Sequence, residues 1–70
     1  MKIRYVAHIR NMHVFQIIHN YEIIGAIQVY DNDQTVRCWI NTIVPPAQST
    51  IDYLKSQAVD MLVDMILLEE

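Results

Sequence analysis

The sequence predicts an α+β fold, a four-stranded antiparallel meander followed by one C-terminal helix packed on one face. Three observations carry this. The hydrophobic period is two before Val44-Pro45-Pro46 and 3.6 after it. Turn-forming residues divide the first part into four short alternating stretches. The final part has its apolar residues on one helical stripe.

The strands are expected at about 2–9, 12–19, 22–30 and 35–43, and the helix at about 47–68. Arg10-Asn11 and Asn20-Tyr21 read as two-residue turns, since Asn tolerates positive φ. Asp31-Asn32-Asp33-Gln34 reads as a longer turn from its composition. Pro45-Pro46 cannot continue a central strand, because proline lacks the ladder N–H. Pro46 can open a helix, and Ser49-Thr50-Ile51-Asp52 matches a capping box, so the helix starts near 46 or 50.

Unbroken registers pair Ile9 with Met12, Ile3 with Ile18, Ile18 with Ile23, Val14 with Ile27, Val29 with Val36 and Ile27 with Cys38. One face is then almost wholly apolar, with Tyr5, Gln16 and Thr42 as exceptions and a dip at Gly25. That face should receive Ile51, Leu54, Ala58, Met61, Leu62, Met65 and Leu68 of the helix. Gly25 and Ala7 would let the helix approach, although Gly25 equally marks a bulge.

Seventy residues make a single domain that buries only about 60% of its unfolded surface. Yet 53% of the residues are hydrophobic, more than so small an interior can hide. Self-association is therefore expected, with Val59, Val63, Ile66 and Leu67 widening the helix stripe beyond one contact. Cys38 is the only cysteine and points to the core, so no internal disulfide forms and an inert thiol is expected. No signal peptide or membrane-length apolar run is visible, which fits a cytoplasmic protein. The net charge is −3, with residues 1–20 holding Lys2, Arg4 and Arg10 and no acid, while Asp60 and Asp64 make an acidic helix face.

The same register leaves Val6, Phe15, Ala26 and Trp39 in one row on the uncovered sheet face. Arg4, Ile17 and Ile24 lie beside it on one side, and His8, His13 and Arg37 on the other. Trp, Phe and Arg are the side chains that anchor protein interfaces, so this face is read as a partner-binding patch. Stacking of single-stranded nucleic acid on the same rings is the alternative, weakened by only five Lys and Arg in an acidic chain.

Catalysis is not expected, because no long loops are present to build a pocket around His8 and His13. The two histidines could hold a metal as a pair, but no third ligand is evident, and no cofactor or metal is expected. The reading is a small non-catalytic protein-binding module, a homo-oligomeric regulator or inhibitor of a larger macromolecule. Size and the lack of catalytic motifs, rather than any residue, suggest the small proteins of viruses and mobile elements.

Overall fold

The computed structural model describes residues 1–33 and 35–69, with the side chains of residues 67–69 outside that description. The strands β1 (Lys2–Ile9), β2 (Met12–His19), β3 (Glu22–Tyr30) and β4 (Val36–Ile40) form one antiparallel sheet in the order β1-β2-β3-β4. Helix α1 (Gln48–Glu69) packs across one face of it. The expected α+β architecture is therefore the observed one.

Both tight turns form where expected, by a different division of labour. Arg10, not Asn11, takes the positive φ of the first, while Asn20 and Tyr21 both take it in the second. Two successive left-handed residues give the twist that a two-residue hairpin needs. Strand β4 stops at Ile40, short of the expected 43, and only the Asn41 N–H to Ile24 carbonyl bond continues beyond it. Ile43 and Val44 are left exposed in the connection to α1. The helix starts at Gln48, where the Ala47 carbonyl accepts the first backbone bonds from Thr50 and Ile51, so Ser49 does not act as a cap.

The largest difference from expectation lies in β2. The hairpin β1–β2 begins as read, with Ile9 opposite Met12 and Ala7 opposite Val14, but a bulge at Val6 shifts the rest. Tyr5 then faces Phe15 and Ile3 faces Ile17. A second bulge at Ile24 moves the β2–β3 pairing in the same sense, so that Phe15 faces Ile27 and Gln16 faces Ala26. Between β3 and β4 the pairing is the expected one, Val29 with Val36 and Ile27 with Cys38.

Each bulge adds one residue to the strand beside β2, which reverses the faces of β2 relative to its neighbours. Phe15 and Ile17, assigned to the open face, are instead fully buried with Ile27, Leu54 and Ala58. The physical reason is Gln16. An unbroken register would press its amide into the apolar core without a partner, at a cost of about 1–3 kcal/mol. In the bulged register Gln16 turns outward and accepts a hydrogen bond from the Arg4 guanidinium. Phe15 fills the vacated place and meets the Tyr5 ring edge-on at 5.4 Å between centroids.

Gly25 sits directly after the second bulge, opposite Ile40. A Cβ there would stand 2.2 Å from the Trp39 carbonyl oxygen. Its lack of a side chain lets β4 approach, and the expected helix contact is not its reason.

Candidate functional site

Reversing β2 divides the expected patch between two sides of the sheet. Arg4, Ala26 and Trp39 remain on the open face in one row with Gln16, and Arg37 remains there in the next row with Gln28, Val14 and Ala7. Trp39 is 48% exposed and Val6 46%. Arg37 lies over the Tyr30 ring at 5.6 Å, which holds the guanidinium against the sheet. Phe15 and Ile17 are core residues, and Ile24 packs against the core from its bulge. None of these three forms the open patch: Phe15 and Ile17 are buried with Leu54 and Ala58 of the helix, and Ile24 is partly buried against that core.

His8 and His13 face each other across the first hairpin, as the turn at 10–11 requires. They lie on the helix side, however, and not beside Arg37. Their rings stack in parallel, with centroids 4.0 Å apart and 9° between planes. Asp31 reaches both: its Oδ2 lies 2.7 Å from His8 Nε2, and its Oδ1 lies 3.2 Å from His13 Nε2. The other nitrogen of His13, Nδ1, hydrogen-bonds the Tyr5 hydroxyl at 3.1 Å.

Three separate elements therefore meet at one point. β1 supplies Tyr5 and His8, β2 supplies His13, and the turn after β3 supplies Asp31. The Asp31 N–H donates to the Asn11 carbonyl at 2.8 Å, which ties this turn to the first hairpin and fixes where its carboxylate sits. Turn length alone pairs the two histidines and offers no third group. The structure brings in Asp31, which carries the register of β2–β3 one step past Met12 and Tyr30.

Beside this cluster runs an open groove of about 350 Å³ between the sheet and the end of α1. His13 and Asp31 form its polar end, and Val59, Leu62, Val63 and Ile66 its apolar wall. Val59, Val63 and Ile66 remain exposed, in keeping with the expectation that one sheet cannot cover this stripe. The expected contact at Leu67 falls outside the described side chains. Asp60 and Asp64 are exposed on α1, as an acidic face requires.

Cys38 packs half-buried against the core, and burial raises its thiol above the ordinary range despite nearby Lys55. The thiol stays protonated near neutrality, which suits a core filler. No described helix is long and apolar enough to cross a membrane. Comparisons with protein-family models, with curated proteins and with solved structures find no match for this chain.

Proposed function

We propose that this chain is a non-catalytic protein-binding module that works as a homo-oligomer. The observation that carries this is surface left over after folding. The chain exposes 5258 Å², against about 4500 Å² for a compact monomer of this mass. The surplus of roughly 750 Å² is close to the share of one partner in a standard protein interface, about 800 Å².

The geometry of α1 explains where the surplus lies. Leu54, Ala58 and Leu62 are buried on the sheet, whereas Val59, Val63 and Ile66 lie on the flank of the stripe and stay exposed. The occupant of this stripe is a second copy of the chain. The open sheet face then stays free for another protein, with Trp39 as anchor and Arg4 and Arg37 favouring a partner with an acidic rim.

Binding of single-stranded nucleic acid is the weaker reading of that face. Moving Phe15 into the core leaves Trp39 as its one well-exposed ring, too little for a row of stacked bases, and the net charge of −3 repels phosphates.

Light scattering over a dilution series tests the assembly. The wild type is expected to dissociate from a dimer on dilution, and a folded Val63→Asp variant to be monomeric throughout. A wild type that is monomeric at every concentration overturns the reading. Trp39→Ala is expected to stay folded and dimeric while losing a protein that the wild type retains; equal retention removes the open face from the proposal.

A further inference from the structure

We propose that His8, His13 and Asp31 form a binding site for a divalent first-row transition metal of the Zn²⁺ type. The proposal does not rest on the assembly proposed above, although the site stands at one end of the groove whose apolar wall that assembly would cover.

Two imidazoles and one carboxylate are a donor set that suits such ions, whereas Ca²⁺ and Mg²⁺ favour sites built from oxygen alone. One ligand atom from each residue lies within 4.8 Å of the other two. A centre equidistant from three atoms at that limit stands about 2.8 Å from each, so the ligands must draw in by up to about 0.7 Å to reach ordinary Zn–N bonds. The adjustment falls on exposed groups. The side chains of His8 and Asp31 are 46% and 39% exposed, so the ring of His8 can tilt out of its stack to aim Nε2 inward.

The second observation is the partner of His13 on its far side. Histidines that bind metals present their other nitrogen to an orienting group, which selects the tautomer and holds the ring. Tyr5 Oη occupies that position at Nδ1, and the Phe15 ring braces Tyr5 in turn. A hydroxyl can donate to Nδ1 or accept from it. It therefore serves His13 in the metal-free state, where Nε2–H is directed at Asp31, and in the metal-bound state, where Nε2 is the ligand and Nδ1 carries the hydrogen. For the ion to bind, the hydrogen between His8 Nε2 and Asp31 Oδ2 gives way, and a neutral His8 then carries its one hydrogen on Nδ1 while Nε2 becomes the ligand. Three protein ligands leave coordination positions for water or for a further donor.

Zn²⁺ titration in competition with a chromophoric chelator, on protein freed of metal, tests this. One Zn²⁺ per chain is expected, and Co²⁺ in its place should give a visible ligand-field band. His8→Ala and Asp31→Asn, which alter exposed side chains and should leave the thermal melt intact, are each expected to weaken binding about tenfold or more. Tyr5→Phe keeps the ring and removes only the orienting hydroxyl, and a loss of about tenfold is expected there too. His19→Ala is the control, because His19 lies six strand residues from His13, roughly 20 Å away. Failure of the wild type to bind, unchanged affinity in His8→Ala and Asp31→Asn, or a loss confined to His19→Ala would each overturn the site.

Discussion

Strands β2 and β4 lie on either side of β3 and pair with it by different rules. β4 has one apolar side, with Val36, Cys38 and Ile40 toward the helix and Arg37 and Trp39 away from it, and its ladder is regular. β2 is apolar on both sides: Phe15 and Ile17 lie inside, while Met12, Val14 and Ile18 lie in the opposite phase. Both strands that flank it carry a bulge. A strand with one apolar side selects its register by hydrophobicity alone. A strand with two selects it by its least buriable group and its largest ring, here Gln16 and Phe15.

The largest expected effect sharpens this contrast directly. Phe15→Ala should cost about 3–5 kcal/mol, because it empties a fully buried ring site. For a domain of this size that is most of the total stability. Trp39→Ala on the open side of β4 should cost much less, and chemical denaturation of the two variants measures the difference. Equal costs would mean that both faces are packed alike.

Gly25→Ala comes next. The added methyl meets the Trp39 carbonyl, so β4 must move away from β3, and a loss of about 1–3 kcal/mol is expected in the same measurement. A neutral result would contradict the close approach that permits the regular β3–β4 ladder. At the second hairpin the sign reverses. Tyr21 holds a left-handed conformation while fully exposed, so Tyr21→Gly should stabilise by about 1 kcal/mol.

The smallest effect lies in the turn before β4. The Asp33 carboxylate accepts from the Thr35 backbone N–H at 3.0 Å, and that bond, followed by the Thr35 side chain, lowers its folded-state pKa below 3.8. A lowered folded value means a contribution that is whole above the unfolded value and is lost as pH falls through the folded one. Wild type and Asp33→Asn should therefore differ slightly in stability at neutral pH and converge in strong acid. A difference that grows on acidification would reverse the assignment.

Much of this molecule was legible in its residues. The change of period at Val44-Pro45-Pro46 located the helix, and the turns at 10–11 and 20–21 located three strands to the residue. The faces of β2 were not legible, because a bulge leaves no mark on a period-two count. Gln16 on the supposed inner face, and Gly25 in the middle of a strand, were the two residues that signalled the irregularity. His8 opposite His13 followed from turn length alone. Asp31 did not, since its position depends on a backbone bond to Asn11 twenty positions earlier. Exposure of the stripe at Val59, Val63 and Ile66 followed from having more apolar helix than sheet to cover it.

The bulge at Val6 also sets where this chain can tolerate a change in length. Loss of a residue inside a regular strand turns every later side chain to the wrong face. Tyr5 and Ala7 already pair with the consecutive residues Phe15 and Val14, and Val6 between them is half-exposed. Removing Val6 would leave both halves of β1 facing as they do now, in a straighter strand. β1 can thus shorten by one at this position without rewriting its pattern, an indel route closed to the unbroken ladder of β4.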